Sequence, residues 1–228
     1  ERLKGGLARM YDLFQQAPEL GSLIDPTIIE KDAFTSDFEE LQPFLEAALN
    51  TESGEKVNER AVIAAGIAKS GKLLAKRYVW QITNVPYLAR RKQSETLIDF
   101  CFKNYGESKN DLATVFFQKM LDTCDSFGTA AVVIPQNWLF LSTYTAFREL
   151  LLMKREWNVV SRLGPKAFST PMWDFNVMLI AISKRCSTES NRISCIDVSK
   201  GLTVDEKGDQ LLSNELFLPT QNDQVRNP

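Results

Sequence analysis

The sequence predicts an α/β fold, a mostly parallel sheet covered by helices on both faces, preceded by a helical segment. Three observations carry this. Apolar residues recur at helical spacing through the first third of the chain. From Arg77 onward, short apolar runs of strand length alternate with amphipathic stretches. The last two of those runs are joined around Gly164-Pro165, where no helical pattern intervenes.

Residues 1–76 read as helices. Leu41, Phe44, Leu45, Ala48 and Leu49 form one apolar stripe, and Val62, Ile63, Gly66, Ile67 and Leu74 form another, with the polar run Thr51 to Asn58 between them. Ser70-Gly71-Lys72 has some of the wording of a phosphate-binding loop, but no strand precedes it and no glycine stands five residues before Gly71. A helix-ending turn is expected there instead. Tyr78-Val79-Trp80-Gln81-Ile82-Thr83 then reads as a strand. Ser94 is expected to open a helix with Leu97, Ile98, Cys101 and Phe102 inward, and Asn110 to cap a second carrying Leu112, Val115, Phe116 and Met120. Gly128 should end that helix, and Thr129 to Ile134 should form a strand stopped by Pro135. Phe140 to Met153 reads as helix, and Trp157 to Leu163 and Phe175 to Ile182 as strands lying side by side, with an antiparallel pairing open to them.

Composition narrows the function classes. The 228 residues suit one or two domains, and the net charge of −2 is not that of a domain that wraps DNA by bulk electrostatics. No apolar run approaches the ~20 residues of a membrane helix and no basic-then-apolar leader opens the chain, so the sequence reads as cytoplasmic, with no membrane partner. There is no histidine, which rules out a histidine base, a histidine-containing zinc site and a Ser-His-Asp triad within this chain. Cys101, Cys124, Cys186 and Cys195 lack paired metal-type spacing and read as buried free thiols; no metal site is expected.

The candidate site is Asn84-Val85-Pro86-Tyr87, at the end of the Tyr78 strand. The exocyclic nitrogen of adenine is a poor nucleophile because its lone pair is delocalised into the ring. Donating its two hydrogens to the Asn84 side-chain oxygen and to the Val85 carbonyl moves it toward tetrahedral geometry and frees the lone pair, which is electrostatic preorganisation rather than acid-base catalysis. A base treated this way must leave the duplex, and Tyr87 offers it a stacking surface. Pro86 restricts Val85 to extended conformations and so aims its carbonyl. The same four residues also make an ordinary turn after a strand, and the wider sequence decides between the two. Directly after them, Arg90-Arg91-Lys92, with Lys103 and Lys109 further on, can pair with phosphates beside the pocket or simply form a solvated charged turn.

Thr83 to Leu88, Lys109-Asn110-Asp111-Leu112-Ala113-Thr114-Val115-Phe116, Val133 to Phe140 and Arg162-Leu163-Gly164-Pro165-Lys166-Ala167-Phe168 follow one another in an order and wording that closely resembles the adenine-specific DNA methyltransferases of the phage-growth-limitation, or BREX-type, group. Leu13-Phe14 and Ala17 to Pro26 resemble the segment these enzymes carry before the tetrapeptide, and the resemblance covers nearly the whole chain. It implies a partial Rossmann-like class I methyltransferase sheet, its C-terminal half, with residues 1–76 as a helical connecting segment, 77–185 as the catalytic half and 186–228 as a trailing segment toward a target-recognition region.

The resemblance also implies S-adenosylmethionine as methyl donor, double-stranded DNA with a flipped adenine as substrate, and other defence-system subunits as partners. The glycine-rich turn that would hold the donor is missing: the only adjacent glycines, Gly5-Gly6, follow no strand. The cofactor half is therefore expected upstream, and the chain by itself is expected to be inactive. Asn84, Val85, Pro86 and Tyr87 match the catalytic motif, although Val85 replaces its usual first proline and adds an N–H that needs a partner. Asp111 and Phe116 match the cofactor-facing stretch, with core packing an equal alternative for Phe116. Phe168 matches the aromatic over the second face of the base; because Ser169 to Asp174 departs from the family wording, Trp173 is the alternative. Gln136-Asn137-Trp138 can floor the pocket or join the core. A non-catalytic relative, kept for DNA binding or assembly, is the competing function.

Overall fold

Two units make up the chain, Glu1–Lys76 and Arg77–Pro228. The computed structural model describes residues 2–28, 38, 40, 41, 43, 44, 47, 59–169 and 175–226.

In the first unit, helices α1 (Arg2–Gln15), α2 (Ala17–Leu20) and α3 (Glu59–Ala75) are described. Met10 and Phe38 are buried at its centre with Leu13, Phe14, Ile67 and Ala75 against them. Gly71 lies inside α3, so the expected helix-ending turn at Ser70-Gly71-Lys72 is not there. A Cβ on Gly71 would stand 2.6 Å from Met10 Cε and 3.1 Å from Phe38 Cε2, and its absence is what lets the small core close. The second expected stripe is only partly buried: Ile67 packs inward, but Val62 and Ile63 are exposed, because apolar residues are spread around this helix rather than along one side. Leu41 of the first stripe is buried and Phe44 exposed; Leu45, Ala48, Leu49 and Thr51 to Asn58 lie outside the described residues.

The second unit runs β1 (Tyr78–Asn84), α4 (Glu95–Asn104), α5 (Leu112–Thr123), β2 (Cys124–Pro135), α6 (Thr145–Lys154), β3 (Glu156–Gly164), β4 (Val177–Ser183), β5 (Ser194–Asp197), α7 (Val204–Ser213) and α8 (Gln221–Val225). The five strands among its described residues are ordered β1-β2-β4-β3-β5. β1 pairs parallel with β2 and β3 with β5, whereas β4 is antiparallel to both β2 and β3. The sheet is thus mixed rather than mostly parallel. At the end of β3, Gly164 turns the chain at φ +69°, and Val177 pairs straight back against Gly164, so the two strands form a hairpin that puts an antiparallel strand mid-sheet.

One face packs against α5 and α6, except at β1, where Val79 stays 58% exposed. Ala130, Val132 and Ile134 of β2 and Met178, Ile180 and Ile182 of β4 join Phe117 and Leu121 of α5, Phe147 and Leu151 of α6, and the indoles of Trp138 and Trp157. Each fully buried aliphatic or aromatic side chain there contributes roughly 1.5–3 kcal/mol. On the other face, Leu211 of α7 packs with Leu163, Val177, Ile196 and Val198 at one end. At the opposite end Trp80 and Ile82 of β1 are 64% and 76% exposed. The expected cover on both faces is therefore incomplete among the described residues: β1 carries the apolar residues of an internal strand, but what covers a strand is not written in the strand itself.

Local expectations shift for identifiable reasons. α5 ends at Thr123 and β2 begins at Cys124, so Gly128 lies within the strand. A Cβ on Gly128 would meet the Tyr78 carbonyl at 2.6 Å, just where the β1–β2 register shifts between Tyr78 and Trp80. The α5 cap is Asp111, not Asn110: its carboxylate accepts from the Ala113 N–H at 2.9 Å. Ser94 caps α4 as expected, accepting from Leu97 N–H at 3.4 Å. The helix expected from Phe140 starts only at Thr145, after 3₁₀ turns at Gln136–Leu139 and Ser142–Tyr144. Arg148 ties those turns down, donating to the Trp138 and Leu141 carbonyls at 2.7 Å each. Of the expected free thiols, Cys101 and Cys124 are buried, Cys195 is half-buried and Cys186 is exposed. No helix among the described residues is long and apolar enough to cross a membrane.

Candidate functional site

Asn84 is the last residue of β1 and lies opposite Val133 in the register with β2, exposed at the C-terminal edge of the sheet. Val85 turns its side chain into the core, 3% exposed, and its N–H donates to the Val133 carbonyl at 3.5 Å. The N–H that a proline would lack thus lengthens the β1–β2 ladder by one long bond. Pro86 is exposed and Tyr87 half-buried.

The Tyr87 hydroxyl donates to Asn84 Oδ1 at 2.8 Å. Burial first, and the neighbouring Asp111 carboxylate second, push the Tyr87 phenol up to about 12, so it remains a protonated donor at neutral pH. In this arrangement the Asn84 amide oxygen points toward Tyr87. The Tyr87 ring meets Phe175, with centroids 5.9 Å apart and planes at 49°.

The loop after the tetrapeptide is stitched to the segment before α5. Leu88 N–H donates to Asp111 Oδ1 at 3.3 Å, Leu112 N–H to the Leu88 carbonyl at 3.0 Å, and Arg90 N–H to the Asn110 carbonyl at 3.0 Å. The Asp111 carboxylate therefore serves as helix cap and loop tie at once. Phe116 is half-buried against the core cluster. Arg90, Arg91 and Lys92 sit on one exposed 3₁₀ turn. Phe168 is 39% exposed and makes no ring contact with Tyr87; Trp173 lies outside the described residues. Trp138 is fully buried against Phe117, Phe147 and Trp157, which makes it core, while Gln136 accepts from Arg162 Nε at 3.3 Å at the sheet edge.

The structure thus brings together Asn84, Tyr87 and Asp111, and adds Phe175, which the sequence reading absorbed into the following strand. β4 begins only at Val177, so Phe175 belongs to the loop, where its ring is free to reach Tyr87. Its place just before an apolar alternation was the only available signal, and it pointed to a strand.

The Eco57I restriction-modification methylase family matches residues 27–168. The chain belongs to this family. It is 29% identical over 168 residues to the adenine-specific methyltransferase PglX of Lacticaseibacillus casei, a match covering 72% of this chain and 13% of that protein. It is 31% identical over 162 residues to the adenine-specific methyltransferase BrxX of Escherichia coli, covering 71% of this chain and 13% of that protein. The chain thus spans about an eighth of the length of these relatives. They bear out the resemblance to the BREX-type adenine-specific methyltransferases. Among solved structures, the methyltransferase subunit of a type I restriction-modification system from Streptococcus thermophilus superposes with a TM-score of 0.46 at 13% identity, covering 73% of this chain and 44% of that one.

Proposed function

We propose that this methylase-family chain forms the base-orienting side of an adenine-specific DNA methyltransferase site, acting in phage defence on an adenine taken out of the duplex. The observation that carries the reading is Asn84 at the open C-terminal end of β1, its amide oxygen held by the Tyr87 hydroxyl at 2.8 Å and the Val85 carbonyl next in the chain. A carbonyl-type oxygen accepts two hydrogen bonds, so Asn84 Oδ1 can take one N–H of the adenine amine while keeping the Tyr87 bond. The second amine N–H goes to the Val85 carbonyl, which leaves the nitrogen lone pair out of conjugation and exposed on the side facing away from both acceptors. Tyr87, backed by Phe175, offers the ring on which the extruded base stacks.

The methyl donor this reading requires, S-adenosylmethionine, does not find a fitting site among the described residues. No glycine-rich turn follows a strand, and the Asp111 carboxylate is engaged by Ala113 and Leu88 N–H groups. The exposed Trp80 and Ile82 support a cofactor side built by further elements packed on β1. The chain by itself is accordingly expected to bind the donor weakly and to transfer no methyl group. The engaged Asp111 is also the observation that favours the second reading, a non-catalytic module retained for DNA binding or for assembly with other defence subunits.

The test is Asn84→Ala in the natural full-length protein. Methyl transfer to DNA should fall by at least about 100-fold, the scale of removing one preorganised hydrogen-bonding group from a reacting centre, with thermal melting unchanged. A variant that melts normally and methylates at the wild-type rate would end the catalytic reading in favour of the binding module.

A further inference from the structure

Arg90, Arg91 and Lys92 on their 3₁₀ turn, Lys103 in the last turn of α4 and Lys109 in the loop before α5 lie in one stretch after β1. None of them forms an ion pair among the described residues. Elsewhere in this unit cations are engaged: Arg155 pairs with Asp122, Arg162 with Asp197 and Arg185 with Glu156. Glu95, Asp99 and Glu107 share the stretch and leave it net positive. The Arg90 N–H bond to the Asn110 carbonyl fastens the basic turn to the segment that carries Lys109.

Phe102 falls between these cations in the sequence. The sequence expectation put it inward with Leu97 and Cys101, which are indeed buried at 5% and 1%; Phe102 itself is 60% exposed. The reason is angular. Leu97 and Cys101 share a stripe at i and i+4, and the next residue is rotated about 100° out of it. Lys109 Nζ sits 4.5 Å from the centre of the Phe102 ring. An exposed ring with a cation over it, beside further unpaired cations, suits a ligand that offers a flat face and a phosphate together. An acidic protein surface would use the cations and leave the ring without a role. A base inside an intact duplex has no free face, whereas extruding one base unstacks its neighbours.

We propose that Phe102, with Lys109 over it and Arg90 to Lys92 alongside, is a stacking platform for an unstacked nucleotide of the strand that delivers its base to Asn84 and Tyr87. The inference rests on the reading that this site acts on DNA, and it adds a single-strand contact outside the base pocket. Stacking on phenylalanine is tolerant of base identity, so the platform holds the strand without reading it.

The experiment measures binding of the natural full-length protein to a fluorescently labelled single-stranded oligodeoxynucleotide and to the matching duplex, across a salt series. Phe102→Ala should weaken single-strand binding about ten-fold or more, as loss of one base–aromatic stack does, with the salt slope unchanged. Phe102→Trp should restore binding. Lys109→Gln should lower the slope of log affinity against log salt by about one. Wild-type binding by Phe102→Ala, no recovery with Trp, or no single-strand binding by the wild type overturns the platform. Methylation by Asn84→Ala is scored in parallel: normal methylation with strand binding lost in Phe102→Ala removes the catalytic reading and leaves the platform, and the reverse removes the platform alone.

Discussion

The two ends of β1 use charge in opposite ways. At its N-terminal end Arg77 and Lys184 both donate to the Asp122 carbonyl, Lys184 donates again to the Cys124 carbonyl at 2.7 Å, and Arg155 stands 3.7 Å from the Asp122 carboxylate. These cations close the C-terminus of α5, where unsatisfied carbonyls and the negative end of the helix dipole gather. At the C-terminal end, Arg90, Arg91 and Lys92 stand exposed and without ion pairs among the described residues. Removing a cation should therefore cost stability at one end and ligand binding at the other.

The largest stability effect expected is at the engaged end. Lys184→Met keeps most of the apolar stem but removes the ammonium that bonds the Cys124 carbonyl and one of the two side-chain donors to the Asp122 carbonyl, the other being Arg77, and should destabilise the second unit by about 1–3 kcal/mol. Urea unfolding checks it, and a midpoint equal to wild type would erase the contrast. Burial, together with the repulsion of Arg77 and Arg155, lowers the Lys184 pKa, so its ammonium is held by those carbonyls against both influences.

Val85→Pro sharpens the comparison from inside the tetrapeptide. It restores the commoner family wording but deletes the N–H that reaches the Val133 carbonyl at 3.5 Å, a long and hence weak bond. The expected cost is about 0.5–1.5 kcal/mol, at the low end, with methyl transfer of the full-length protein retained because the acceptor at that position is the carbonyl. Denaturant midpoints and transfer rates measured together check it; a collapse of activity without loss of stability would mean that the carbonyl is aimed by the valine itself.

Arg91→Gln is the counterpart at the open end. Its effect on stability should stay within about 0.5 kcal/mol, as for a surface substitution away from any buried network. DNA affinity should weaken alike for every sequence, and the salt slope should fall by about one. A clear drop in melting temperature would show that this turn, too, is structural.

How much of this was legible in the sequence depended on whether the signal was local. Asn84 to Tyr87 could be placed at a strand end because the aromatic and β-branched residues of Tyr78 to Thr83 and the proline both act within a few residues. Ser94 was legible as a cap for the same reason. The mixed sheet was not, because β4 is placed by its return against β3 from beyond Gly164, a pairing no window contains. Nor was Gly128, where a glycine that resembled a helix stop is required by the approach of the Tyr78 carbonyl from another strand. Within the site, Asp111 was read only as part of a cofactor-facing stretch; that it caps α5 was missed by one residue, because Asn110 beside it offers the same capping chemistry. Phe102 and Phe175 were missed because exposure and ring contact are properties of the assembled loops.

The smallest effect concerns Tyr87, a polar group at the open end that is engaged. Tyr87 gives its proton to Asn84 and lies near Asp111, and its phenol is raised from 10.0 to about 12. A folded pKa above the unfolded one means the protonated phenol favours the folded state. The associated stability is complete below pH 10 and is lost as pH rises from 10 toward 12. Tyr87→Phe should therefore change the melting temperature little at neutral pH and remove part of the alkaline decline; since Tyr144 is raised as well, the difference between wild type and variant is the quantity to read. In a spectrophotometric titration the variant should lack a phenolate that the wild type forms only near pH 12. If the lost phenolate instead titrates near the ordinary tyrosine value, the phenol is not buried beside Asp111 in solution, and the loop that holds Tyr87 against Asn84 is open there.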